Sequence, residues 1–254
     1  MIETISSLQN PYIKLLRSLK SKKERETHGL FLAEGEKCAW EALEADAAEC
    51  LLATEESPLT EAAEAQGVRT ILCSERVMEA VSDAKNPQGA AAVVKRQALM
   101  QQGKERGQLL IALESVADPQ NVGTMIRTAD AAGAGAVLVS QDTADFTGPK
   151  AVRASMGSVF HLPIVVCQDF YGMLAQLRAE GVTLVAGDLA GQGTLAPMKR
   201  CCILIGNEAR GLTEQALAQA DVRYKIPIYG RAESLNAAVA AGILLYQVRE
   251  GMEK

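Results

Sequence analysis

The chain has 254 residues, a net charge of −5 and few aromatic side chains, 4% of the total. That length supports one large domain or two modest ones with a substantial core, and the acidic average excludes a uniformly basic nucleic-acid binder while leaving local basic patches open. No stretch approaches the ~18 apolar residues that span a bilayer, and Met1–Tyr12 lacks the apolar core of a signal peptide.

Near the N-terminus, Pro11 suits the first turn of a helix with Asn10 as its cap. Ile13, Leu16 and Leu19 recur at helical spacing, which puts Lys14, Arg17 and the cluster Lys22, Lys23 and Arg25 in solvent. Between Asn10 and Arg25 there are six basic residues and one acid, Glu24. Such a helix fits a phosphate backbone, or is an ordinary solvated face. By contrast, Glu34 to Glu64 is acidic and is expected to face water. From Leu30 the pattern alternates: strand Leu30–Ala33, helix Glu36–Ala45, strand Cys50–Ala53, helix Leu59–Gln66, strand Arg69–Leu72, helix Glu75–Val81, strand Ala90–Val94. This reads as a small α/β domain over residues 1–96. Residues 97–107 have linker composition, with Gly103 and Gly107.

A second domain, 108–254, opens on the apolar run Leu109–Leu113, of buried-strand type. Asp118 as cap and Pro119 at the first helical position then start a helix that Gly133 stops. Strands follow at Ala136–Ser140, Leu162–Val166, Val182–Ala186, Cys201–Ile205 and Val222–Ile226. Helices separate most of them, near Lys150–Met156, Tyr171–Ala179 and Thr213–Ala220. The pattern predicts a mostly parallel sheet covered on both faces. The last strand ends at Pro227, which cannot donate to a ladder. Behind it, Leu235–Val248 is apolar nearly all round and is expected to be a buried helix, with Ser234 as its N-cap.

The chemistry is narrowed by what is missing. His28 and His161 are the two histidines of the chain, too few for a histidine metal site or a Ser-His-Asp triad, so no metal is expected. Cys38, Cys50, Cys73, Cys167, Cys201 and Cys202 show no C-x-x-C spacing, which favours a reduced cytoplasmic setting. Neither G-x-G-x-x-G opening a helix nor G-x-x-x-x-G-K-[ST] occurs, so dinucleotide and nucleoside triphosphate cradles are absent. Ligands of open α/β sheets gather outside the carboxyl ends of strands. Two Gly-rich strand exits stand there, Val185–Gly193 around Gly187 and Ile203–Leu212 with Gly206, Asn207 and Glu208.

Three pieces together carry a resemblance: Asn121-Val-Gly-Thr-Met-Ile-Arg127, Ile205-Gly-Asn-Glu-Ala-Arg-Gly-Leu212, and Ile226-Pro-Ile followed by Ser234-Leu-Asn-Ala-Ala-Val-Ala240. They resemble, in order, the three motifs of the SpoU (TrmH-like) RNA ribose 2′-O-methyltransferases of the SPOUT superfamily. Ser7-Leu-Gln-Asn-Pro-Tyr-Ile-Lys14 and Phe31-Leu-Ala-Glu-Gly35 are similar to the substrate-binding domain that members acting on ribosomal RNA often carry. The resemblance implies a deep trefoil knot in the C-terminal part, against the general rarity of knots. It implies S-adenosylmethionine held by backbone near Gly206, Ile226 and Leu235 with Gly187 lining the pocket. It also implies a homodimer with shared sites, and a catalytic group of Asn121, Arg127, Glu208, Ser234 and Asn236. Arginine is a poor base, its pKa being above ~12 in nearly any protein setting. Arg127 is therefore expected to clamp the neighbouring phosphate and steady developing oxyanion charge. The expected RNA contacts are Lys14, Lys22, Lys23 and Arg25. The rival readings are a transfer RNA substrate, a non-catalytic RNA-binding protein of the same fold, and a nucleotide-dependent oxidoreductase.

Overall fold

The computed structural model describes residues 2–100 and 107–252, so most of the expected linker, 101–106, lies outside the described residues. The chain divides into two compact units, Met1–Leu99 with Asp145–His161, and Met100–Ala144 with Leu162–Lys254.

In the first unit the elements run β1 (Ile2–Ile5), α1 (Pro11–Ser18), α2 (Lys22–His28), β2 (Leu30–Glu34), α3 (Glu36–Glu44), β3 (Ala48–Ala53), α4 (Pro58–Ala65), β4 (Arg69–Cys73), α5 (Glu75–Val81), β5 (Ala90–Lys95) and α6 (Arg96–Leu99). The sheet order is β1-β4-β3-β5-β2, parallel from β1 to β3 and antiparallel where β5 meets β3 and β2. One face buries Ile13, Leu16 and Leu19 of the α1 region against Leu32, Leu52, Ile71 and Val93. The expected single basic helix is two helices, because Leu19 and Lys20 turn the chain before Ser21. Arg25, expected in solvent, is 5% exposed. Its Nε and Nη2 donate to Asp145 Oδ2 at 3.1 and 2.9 Å, and its Nη1 donates to the carbonyls of Leu19 and Lys20. Lys22 and Lys23 are exposed, as is Lys14.

The segment Asp145–His161 contributes α8 (Pro149–Ser155) to this unit. Phe160 stacks on Phe31 with ring centroids 6.4 Å apart. Arg153 donates to Glu34 and Asp83, and Glu34 also accepts from Ser82 Oγ and the Asp83 amide. Glu34, expected at water, is thus tied into the fold. His161 Nε2 lies 2.7 Å from Glu41 Oε2.

The second unit holds β6 (Leu109–Leu113), α7 (Pro119–Ala131), β7 (Ala136–Ser140), β8 (Ile164–Cys167), α9 (Phe170–Ala179), β9 (Thr183–Gly187), β10 (Cys201–Ile205), α10 (Glu214–Gln219), β11 (Val222–Tyr224) and α11 (Ala237–Gly251). Its sheet, β11-β9-β10-β6-β7-β8, is parallel throughout. The apolar runs of β6, β7 and β10 are buried along their whole length, as strands covered on both faces must be. Asp118 caps α7 and accepts from the Gln120 amide, and Gly133 at φ 71 stops it. The α7 and α11 helices pack together so closely that a Cβ on Gly242 would lie 3.3 Å from Thr128 Cγ2.

Two expectations about the C-terminal stretch change. The β11 ladder ends at Tyr224, opposite Gly187, the last residue of β9. The last helix starts at Ala237, capped by Asn236 rather than Ser234: Asn236 Oδ1 accepts from the amides of Ala238 and Val239 at 2.9 and 3.2 Å. The helix is buried along Ala238, Ala241, Leu244, Leu245 and Val248, but Val239 and Tyr246 on another face are 52% and 47% exposed.

Candidate functional site at the carboxyl edge of the parallel sheet

The three motif segments meet where the strands of the second unit end. Asn121, in the first turns of α7, is buried. Its Nδ2 donates to Glu208 Oε1 at 2.9 Å, and its Oδ1 accepts from Asn236 Nδ2 at 3.0 Å. The Glu208 carboxylate also accepts from the backbone amides of Ala117 and Asp118, at 2.9 and 3.1 Å. Burial alone would push the Glu208 carboxyl up. The hydrogen bonds from Asn121 and from the Ala117, Glu208 and Asp118 amides outweigh it and hold the group below the ordinary carboxylate value. Asn207 adds a fifth tie, donating through Nδ2 to the Ser115 carbonyl at 2.8 Å. The β6–α7 turn, the β10–α10 turn and the start of α11 are thereby one polar network.

Gly206 lies at the end of β10, where the chain folds back so tightly that a Cβ would sit 2.2 Å from the Gly211 carbonyl carbon and the Leu212 nitrogen. No other residue fits that turn. Gly187 ends β9, facing Leu244 and Ile205, and Ile226 follows β11. Gly187, Gly206 and Ile226 therefore stand at the ends of three neighbouring strands. Leu235 is 37% exposed and Ser234 is exposed just ahead of the Asn236 cap.

Between β11 and α11, residues 225–235 are irregular, and among the described residues none of them makes a backbone hydrogen bond. Ile226 and Ile228 in this stretch are half-buried. Backbone groups left unpaired within the chain stay open to water or to a ligand. The stretch offers donors and acceptors to a ligand.

Arg127 is not drawn into the network. It lies on the exposed side of α7 and has no hydrogen-bond or ion-pair partner among the described residues. Sequence reasoning missed Glu114, the residue after β6, which is 2% exposed. It accepts from Tyr171 Oη, Thr213 Oγ1 and the Thr213 amide at 2.7–2.8 Å, bracing the same edge. An acid directly after the apolar run Leu109–Leu113 was the available signal.

The model of the SpoU rRNA Methylase family matches residues 108–246, more than half of the chain. The chain belongs to the SpoU family. A second model, the MRM3-like substrate binding domain, matches residues 10–92 of this SpoU protein. Over 252 residues it is 35% identical to the Bacillus subtilis 23S rRNA (guanosine(2553)-2′-O)-methyltransferase RlmP, covering 98% of this chain and 100% of that one. Among solved structures, the AdoMet-bound rRNA methyltransferase from Sinorhizobium meliloti superposes with a TM-score of 0.87 at 33% identity, over 98% of both chains. The SpoU methyltransferase AviRb from Streptomyces viridochromogenes, in complex with AdoMet, gives 0.83 at 28% identity, over 95% of this chain and 98% of that one.

Proposed function

We propose that this SpoU protein transfers the methyl group of S-adenosylmethionine to a ribose 2′-hydroxyl of ribosomal RNA. The observation that carries the reading is the Asn236–Asn121–Glu208 chain of hydrogen bonds, which joins all three motif segments beside the unpaired backbone of 225–235. The residues suit the cofactor: Gly187, Gly206, Ile226 and Leu235 bring backbone and apolar surface to the ends of β9, β10 and β11, where an adenine ring and an amino-acid tail need both. When bound, S-adenosylmethionine supplies an electrophilic methyl on a sulfonium.

What the chain does is position and neutralise. Glu208 keeps the Ala117–Asp118 turn and Asn121 fixed. Asn121 in turn orients Asn236, and Ser234 next to it meets the ribose. Fixing the two reactants supplies much of the rate. Arg127 holds the phosphate next to the target ribose and stabilises charge on the attacking oxygen. Since its own chain leaves it exposed and unpaired, we place it in the site of a second subunit. The homodimer would cover the exposed Val239 and Tyr246 of α11. The C-terminal segment is read as threading a trefoil knot, in support of which α11 packs on β10 and β9, and Met252 bridges Met198 in the β9–β10 connection. Lys14, Lys22 and Lys23 are read as phosphate contacts of the N-terminal unit. The full-length likeness to an enzyme named for 23S rRNA favours ribosomal over transfer RNA. A cytoplasmic setting agrees with six buried cysteines that form no disulfide.

Calorimetry against S-adenosylmethionine, NAD and ATP, with mapping of 2′-O-methyl sites in RNA from cells with and without the protein, tests the reading. Binding of S-adenosylmethionine alone and loss of one ribosomal methyl site are expected. A response to NAD instead, or an unchanged ribosomal methylation map, would sink it.

A further inference from the structure

Tyr229 is 96% exposed, the most exposed of the large hydrophobic side chains described. It stands in the stretch between β11 and Asn236. Along residues 224–229 exposure alternates: Tyr224, Ile226 and Ile228 are half-covered, while Lys225, Pro227 and Tyr229 face outward. An extended backbone has that period of two. The Tyr229 ring thus belongs to the set that faces solvent. Arg231, two residues further on, is exposed as well. Neither Lys225 nor Arg231 has a hydrogen-bond or ion-pair partner among the described residues, and Glu233 is the one acid of this stretch.

From Lys225, Tyr229 and Arg231 we infer that this outer edge is a stacking platform for single-stranded substrate RNA: Tyr229 takes the face of a base next to the methylated nucleotide, and Lys225 and Arg231 take the flanking phosphates. The inference rests on the proposed function and deepens it by naming a residue that holds the substrate RNA. At ~3.3 Å per extended residue, Lys225 and Tyr229 stand about 13 Å apart, a span that an extended strand crosses with base and phosphate alternating. Aromatic rings between cations are how sequence-tolerant single-strand grooves are built. A second copy of the chain is a poorer occupant. A two-fold contact centred here would bring Lys225 and Arg231 against their own copies, and like charges across an interface cost binding. The apolar face of α11, which carries Val239 and Tyr246, has no such cations between those two positions.

The test compares wild type, Tyr229→Ala, Tyr229→Phe and Lys225→Ala/Arg231→Ala. Each is titrated with an unmodified transcript of large-subunit ribosomal RNA and assayed for methyl transfer. Tyr229→Ala is expected to weaken RNA affinity and raise the KM for RNA about tenfold, in the range of one lost base stack. Its kcat, its S-adenosylmethionine affinity by calorimetry and its mass by light scattering should stay unchanged, and Tyr229→Phe should restore RNA affinity. The double variant should flatten the slope of log affinity against log salt by about 0.7 per cation removed. Unchanged RNA affinity in Tyr229→Ala overturns the inference. So does a shift to monomer, which would place the ring in a subunit contact, or a loss of cofactor affinity, which would place it in the cofactor pocket. A wild-type chain that binds the transcript through Tyr229 without methylating it would fail the proposed function and leave this inference standing.

Discussion

Glu208 serves three donors at once, the Ala117 and Asp118 amides and Asn121 Nδ2, and its ionised form is the one they need. Because its native carboxyl is held below the ordinary value, the stability it contributes is fully present above the ordinary carboxylate pKa and is lost as pH falls through the lowered native value. Glu208→Gln would turn an amide NH2 toward backbone N–H groups and loosen the turn that holds Asn121. Methyl transfer is expected to fall roughly 10–100-fold, the scale of a small misplacement in a site built on positioning. In parallel acid titrations, the stability gap between wild type and Glu208→Gln should close below about pH 4, the range where an ordinary Glu protonates. A gap that stays constant from neutral pH down to pH 3 would refute the linkage. Arg25 is the other residue whose environment sets its role. With Asp145 it forms a pair exposed by only 5% and 6%, so removing one partner strands a buried charge. Arg25→Ala is expected to cost about 3–5 kcal/mol in urea unfolding, against less than about 0.5 kcal/mol for exposed Lys23→Ala. Equal costs would mean that the buried pair contributes nothing special.

Among the elements, the segment Asp145–His161 has the largest consequence. It covers β2 with α8, lays Phe160 on Phe31 and supplies the anion for Arg25. A fragment ending at Leu99 lacks all three. We expect such a fragment to expose the Phe31 face, bind a hydrophobic dye and unfold without a sharp transition. Joining residues 145–161 to it through a flexible linker should restore cooperative unfolding. A fragment 1–99 that melts as sharply without the segment would show that the first unit is complete without it.

For the whole molecule, the separation of Arg127 from the Asn121–Glu208–Asn236 group bears on how many chains make a site. If Arg127 acts in its partner's site, mixing Arg127→Ala with Asn236→Ala gives mixed dimers with one site carrying both lesions and one carrying neither. Random exchange makes about half the dimers mixed, so roughly a quarter of wild-type activity should return. Subunits that work alone would regain nothing on mixing, and a monomeric mass at assay concentration would rule out the shared site directly.

Much of this was legible in residues that are neighbours in the chain. Asp118 and Pro119 start α7 as expected, the runs Leu109–Leu113 and Cys201–Ile205 are strands end to end, and the three motif segments stand in family order. Caps, apolar runs and short motifs are local signals, so the sequence by itself determined the α/β class, most of the elements and the family. The short strand Ile2–Ile5 escaped, since its partner β4 lies far along the chain. What the tertiary structure alone decided depends on partners of that distant kind. Asn121 meets Glu208 across 87 positions and Asn236 across 115, while Arg25 meets Asp145 across 120. Only the folded chain could choose Asn236 over Ser234 as the cap, because Asn236 alone reaches both the helix amides and Asn121. By the same logic Arg25 became a buried anchor instead of an RNA contact: a charge leaves water only where a counter-charge awaits it, and that counter-charge arrives from a segment the local pattern could not bring near.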